Sequence, residues 1–131
     1  MPRNDQSTPF VGEPKQKLFA VLPSEGVKAA HAALVSAEVN ASDIYIWRGA
    51  QDAARFYENQ HSMWATAVKG LQSLSGESAQ LERYAESLRS DQAVFEVDVS
   101  DRAAAQNAAT QLKDRGGTFV HYYGSWSWET L

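Results

Sequence analysis

Short apolar runs alternate with amphipathic stretches along this chain, and their order predicts strands and helices in turn. Lys17-Leu-Phe-Ala-Val-Leu22 is a brief apolar run that stops at Pro23, and it reads as a first strand. Ser24 is placed to cap a helix, with Glu25 in its first turn, where negative charge suits the helix dipole. Val27, His31, Leu34 and Val35 then recur at helical spacing, and Asn40 stands where that helix should stop. Ile44-Tyr-Ile-Trp47 is β-branched and aromatic, hence a second strand, ended by Arg48-Gly49.

From 50 to 92 the period is helical throughout. Ala54 and Tyr57 mark a short first piece. Trp64, Val68 and Leu71 form one stripe, Ser75-Gly76 interrupts it, and Leu81, Tyr84, Ala85 and Leu88 form another. Glu82, Arg83, Glu86 and Arg89 take the opposite, solvated face. The segment reads as a helical hairpin.

Val94-Phe-Glu-Val-Asp-Val99 alternates strictly, so Phe95, Val97 and Val99 face one way and Glu96 and Asp98 the other. Ser100 or Asp101 caps a last helix with a narrow stripe of Ala105, Ala108, Ala109 and Leu112. Gly116-Gly117 supplies its stop, and Thr118-Phe-Val-His-Tyr-Tyr123 is a fourth strand.

The two halves resemble each other. Phe19-Ala-Val-Leu-Pro-Ser24 aligns with Phe95-Glu-Val-Asp-Val-Ser100, and each is followed by an alanine-rich helix, an aromatic strand and a glycine (Gly49, Gly124). Two strand–helix–strand units predict an α+β fold of the ferredoxin-like split βαβ kind. Its four-stranded antiparallel sheet carries two helices on one face, with the hairpin inserted between the halves. Residues 17–131 form the single domain, and Met1 to Gln16, polar and holding Pro2, Pro9 and Pro14, is a flexible tail.

Such a sheet leaves a second face to account for. The alignment sets Phe19 and Val21 beside Phe95, Val97 and Val99 under the helices. Leu18, Ala20 and Leu22 then join Glu96 and Asp98 on the open face. Tyr45 shares a face with Trp47, and His121 with Tyr123; their phase is not fixed by sequence. A face this apolar and aromatic needs a cover, which the 50–92 hairpin, another subunit or a ligand can provide.

Composition narrows the functional classes. The 131 residues include no cysteine, which removes disulfides, thiolate metal sites and cysteine nucleophiles and points to a reducing, cytoplasmic setting. A net charge of −4 with scattered Lys and Arg gives no nucleic-acid footprint, and no apolar run approaches a membrane span or a signal peptide. There is no nucleotide fingerprint, no phosphate loop and no local signature of a catalytic triad. His31, His61 and His121 lack metal-ligand spacing, so neither a metal nor another cofactor is expected.

What chemistry remains gathers on the open face. Glu96 and Asp98 are a same-face carboxylate pair, able to shift each other's titration or to act as ordinary strand polar positions. With His121, Tyr123, Tyr45 and Trp47 they form the candidate ligand-binding set. Trp126 and Trp128, two apart near the end of the chain, fit an edge strand or a subunit contact better than a pocket.

Leu81-Glu-Arg-Tyr-Ala-Glu-Ser-Leu-Arg89 ahead of a Val-rich strand, together with the ending His121-Tyr-Tyr-Gly-Ser-Trp-Ser-Trp-Glu-Thr-Leu131, resembles a family of uncharacterised small bacterial proteins. Members of that family end similarly, with a basic residue where this chain has Ser125. The first half also resembles, more weakly, the heat-induced general stress protein family. The resemblance implies a bacterial cytoplasmic protein of the split βαβ fold and carries no catalytic residues over. Two expectations follow: a non-enzymatic stress-associated or regulatory module that self-associates as a homo-oligomer, or a small-molecule-binding protein or minor enzyme using the open face.

Overall fold

A computed structural model describes residues 16–67, 74–124 and 128–131, and side chains within 16–60, 79–124 and 129–131. The elements are β1 (Gln16–Leu22), α1 (Val27–Ser36), β2 (Ile44–Arg48), α2 (Ala50–Ala67), α3 (Leu74–Arg89), β3 (Ala93–Val99), α4 (Arg102–Lys113), β4 (Thr118–Tyr123) and β5 (Trp128–Thr130). The strands form one sheet in the order β2-β3-β1-β4-β5, with every neighbouring pair antiparallel. The expected tail lies outside the described residues except Gln16, which opens β1.

The sheet has five strands where the sequence predicts four. The extra one comes from the Trp-rich ending: Trp128 opens β5, which pairs with β4 as an edge strand, and Trp126 lies outside the described residues. Arg102 on α4 pins β5 through two bonds to the Glu129 carboxylate, at 2.7 and 3.1 Å. Lys113 Nζ also donates to the Leu131 carbonyl at 2.7 Å.

Each face of the sheet carries a helix pair. Val27, Ala30 and Leu34 of α1 and the Ala105–Leu112 stripe of α4 pack on Leu18, Ala20, Leu22, Phe95, Val97, Val120 and Tyr122. On the other face, Ala53 and Phe56 of α2 and Leu81, Tyr84, Ala85 and Leu88 of α3 pack on Phe19, Val21, Trp47 and Val94. The helices α2 and α3 therefore cover the face that the sequence leaves open.

The facing of β1 is corrected by one residue. Leu18 stands opposite Val97 and Phe19 opposite Glu96, so Leu18, Ala20 and Leu22 side with Phe95 and Val97, and Phe19 and Val21 side with Glu96. Similarity between the halves aligned Phe19 with Phe95, but facing is set by the antiparallel register. A one-residue offset there turns every side chain over.

Local corrections have similar causes. Ser24 does not cap α1; it lies in a short 3-10 turn, and its hydroxyl donates to the Asp91 carbonyl beyond α3. The N-cap of α1 is Gly26, and α1 stops at Ser36, with Asn40 instead capping a turn at Ala41–Asp43. Val35 is 45% exposed, outside the buried stripe. Among the described side chains of α2 the buried ones are Ala53, Phe56 and Gln60, while Ala54 is exposed. Ser75 and Gly76 lie within the first turn of α3, so they do not break a helix there. Val68 and Leu71 lie outside the described residues, as does the side chain of Trp64. The α3 stripe, the Asp101 cap of α4 and the glycine stop stand as read: the Asp101 carboxylate accepts from the Ala104 amide, and Gly116 takes φ +94°.

Candidate functional site

Antiparallel register lays the chemistry of the lid-covered face out in rungs. Tyr45, Glu96, Phe19, His121 and Thr130 stand side by side across all five strands. The adjacent rung is Asp98, Lys17, Tyr123 and Trp128. All six residues of the expected ligand-binding set thus share one face, because Tyr45 and Trp47 on β2 and His121 and Tyr123 on β4 fall in phase with Glu96.

At the β1–β3 end of this face Lys17 is shared between two carboxylates. Its Nζ lies 2.8 Å from Glu96 Oε2 and 2.7 Å from Asp98 Oδ1. Burial disfavours the ammonium, but the charge of Glu96 and the bonds to Asp98 and Glu96 outweigh it and hold the Lys17 pKa above its usual value. The cluster opens toward water at one side, where the Asp98 side chain is 25% exposed against 14% for Lys17.

The other Glu96 oxygen faces inward. Oε1 accepts from Trp47 Nε1 at 2.9 Å and from Gln60 Nε2 at 3.2 Å. Trp47 is held edge-on to Phe56, with Tyr45 tilted against it at 4.7 Å between ring centres and Arg55 lying 5.7 Å over its ring. Tyr45 is 49% exposed and stands at the margin of the lid. Gln60 is fully buried, and among the described residues its Oε1 has no hydrogen-bond partner.

A second polar group forms where α3 meets β4. Phe119 takes φ +51°, a left-handed conformation uncommon for an aromatic residue, where the β1–β4 register slips. The hydroxyl of Tyr84 donates to the Phe119 carbonyl at 2.8 Å and lies 3.2 Å from His121 Nδ1. A phenol has one proton. The shorter bond, to the Phe119 carbonyl, takes it. Arg83 stacks 4.4 Å over the Phe119 ring, and the Tyr123 hydroxyl donates to Gln80 Oε1 on α3. Burial pushes Tyr84 well above the ordinary tyrosine pKa. Burial, helped by Arg83, pulls His121 below the ordinary histidine pKa against the Phe119 backbone bond.

Phe19 separates the two groups. Glu96, Asp98 and Trp47 come together around Lys17, with Tyr45 at the edge, whereas His121 and Tyr123 belong to the Tyr84 group. Lys17, Gln60 and Tyr84 are the residues that sequence reasoning missed. Lys17 was legible as a cation in phase with Phe19 and Val21; Tyr84 was legible only as part of an apolar stripe. Among the described residues no three His, Asp or Glu side chains are placed to hold a metal ion, and no helix is long and apolar enough to cross a membrane.

These states bear on the chemistry available. Both Glu96 oxygens are engaged, Lys17 stays an ammonium, and Tyr84 keeps its proton. Activated bases and nucleophiles need the opposite: free lone pairs and pKa values drawn toward neutrality. Compared with known proteins, the chain matches no family model, no curated protein and no solved structure.

Proposed function

We propose that the chain is a ferredoxin-like split βαβ domain, extended by β5, that binds a small polar molecule beneath the α2–α3 lid without transforming it. The strand order β2-β3-β1-β4 and the helix that follows each of β1 and β3 support the architecture. The observation that carries the function is the Lys17–Glu96–Asp98 cluster. Three charged side chains lie largely out of water beneath helices that an apolar face alone would hold. Ion clusters of this kind add little net stability over well-packed apolar residues, so stability alone is a weak reason to keep them. The setting implied by the resemblance, a stress-associated or regulatory module in the cytoplasm, accommodates a ligand sensor.

The test is thermal denaturation of the full chain against a metabolite library. A ligand at a hundred times its Kd adds about 2.7 kcal/mol, a rise of roughly 10 °C in Tm for a chain of this length. The rise should vanish in Glu96→Gln and Asp98→Asn. A library without a hit, or hits indifferent to both substitutions, overturns the reading.

Self-association now rests on the sheet edges, since α2 and α3 cover the face that motivated it. On β2 the amides of Ile44 and Arg48 are already bound, to the Ala41 carbonyl and to Asp52 Oδ2.

A further inference from the structure

Gln60 occupies a position that the pattern of α2 reserves for an apolar side chain. Ala53, Phe56 and Gln60 are the buried residues of one helix stripe, and leucine or methionine there would complete the oily surface against the sheet. The amide is oriented by its neighbours. Its Nε2 gives one hydrogen to Glu96 Oε1 at 3.2 Å and the other to Asn59 Oδ1 at 3.1 Å. Turning the amide over would press Gln60 Oε1 against a carboxylate oxygen that already accepts from Trp47, so the carbonyl is held facing away from Glu96. There it is fully buried, with no partner among the described residues. Buried polar atoms are nearly always satisfied, and an unsatisfied one marks a place where a missing group belongs.

We infer that Gln60 Oε1 is the specificity-determining acceptor of the site under the lid, and that its ligand presents an N–H or O–H donor to it. The inference rests on the binding reading above and names its ligand class. A carbonyl lone pair accepts a donor and repels an anion, and Glu96 next to it adds to that repulsion. A ligand with an amide, hydroxyl or ammonium group fits; one offering only a carboxylate does not.

The experiment uses the full chain, wild type and Gln60→Met, titrated by NMR with acetamide, glycerol, methylammonium and acetate at millimolar concentrations. The Gln60 side-chain amide signals are assigned by their loss in the variant. At least one of the three donor probes should shift those signals saturably, and its affinity should fall ten-fold or more in Gln60→Met. Which probe does so separates an amide, an alcohol and a cation. Gln60→Met removes the orphaned carbonyl together with the bond to Glu96 Oε1, which keeps Trp47 Nε1 as a donor, so a side chain of similar length should leave the variant folded. Acetate alone binding, or no probe binding while an ordered water sits on Gln60 Oε1, overturns the inference. A library ligand that is lost in Glu96→Gln yet binds Gln60→Met unchanged overturns it while leaving the binding reading intact; a library without hits removes both.

Discussion

Lys17 stands directly opposite Asp98 across β1 and β3, with its Nζ 2.7 Å from the carboxylate, and the same ammonium reaches Glu96 one rung further in. This cross-strand pair joins the solvent margin of the lid to its interior. Asp98 touches water, Lys17 spans the step, and Glu96 hands the contact on to Trp47 and Gln60. The lid helix α2 is thereby tied to the sheet by polar bonds as well as by Phe56.

Lys17→Met should expose what that link contributes. Removing one partner of a fully buried pair costs about 3–5 kcal/mol; because Lys17 and Asp98 both reach water, about 2 kcal/mol is expected. The loss should depend on pH. The native pKa of Lys17 lies above its usual 10.5, so its contribution is complete below that value and fades as pH rises through the native pKa. Urea midpoints at pH 7 and above pH 11 should therefore differ more in the wild type than in Lys17→Met. Equal differences would separate Lys17 from the alkaline loss.

His121 governs the acid side. Its native pKa is below the ordinary 6.5. The unfolded chain binds a proton there before the native one does, so stability present above pH 6.5 is lost as pH falls through that range. Replacing the imidazole by a neutral amide, His121→Gln, should flatten the change in urea midpoint between pH 7.5 and 5.5. An unchanged slope would show that the acid response arises elsewhere.

Tyr84→Phe tests the strained corner of β4. The substitution keeps the ring contacts with Phe19, Phe56 and Phe119 and removes the hydroxyl that holds the Phe119 carbonyl. A cost of about 1 kcal/mol is expected from the lost bond, since the Phe119 carbonyl keeps the His121 imidazole as a partner. Hydrogen exchange should quicken at the amides around Phe119, where the left-handed backbone loses its tether. A variant as stable as the wild type would show that Phe119 holds its conformation without the phenol.

The parts of the fold that follow from local rules were legible in the sequence. Alternation placed Phe95 and Glu96 on opposite faces of β3, and helical spacing found the Leu81–Leu88 stripe. What local rules omit is register. Phe19 and Phe95 look equivalent along the chain, yet cross-strand pairing turns Phe19 toward Glu96. Trp126 and Trp128, two aromatic residues in the last six, fitted an edge strand or a subunit contact alike, and the choice of β5 comes from pairing with β4. Glu96 and Asp98 stood out because charge interrupts an apolar strand. Gln60 did not, because one polar residue within a helix looks like its solvated face until packing covers it.

Gly117→Ala probes how β4 is delivered to the site. Gly116 ends α4 in the left-handed region, and the Gly117 amide then donates to the Leu112 carbonyl at 2.8 Å. A Cβ added at Gly117 would lie 2.7 Å from that carbonyl oxygen and 2.9 Å from its carbon. Both are backbone atoms of a residue buried under β1, so neither can yield without moving α4 or β4. A cost of about 1–3 kcal/mol is expected from such overpacking. At Gly124 the nearest atoms to an added Cβ are those of the Tyr122 phenol, at 3.4 Å or more, so Gly124→Ala should leave the urea midpoint nearly unchanged. Because Phe119, His121 and Tyr123 all follow Gly117 on one strand, its substitution should also raise the native pKa of His121 toward the ordinary value as burial loosens, which an NMR titration of the imidazole reads directly. A Gly117→Ala protein with the wild-type midpoint and an unmoved His121 titration would show that the turn has room for a methyl group.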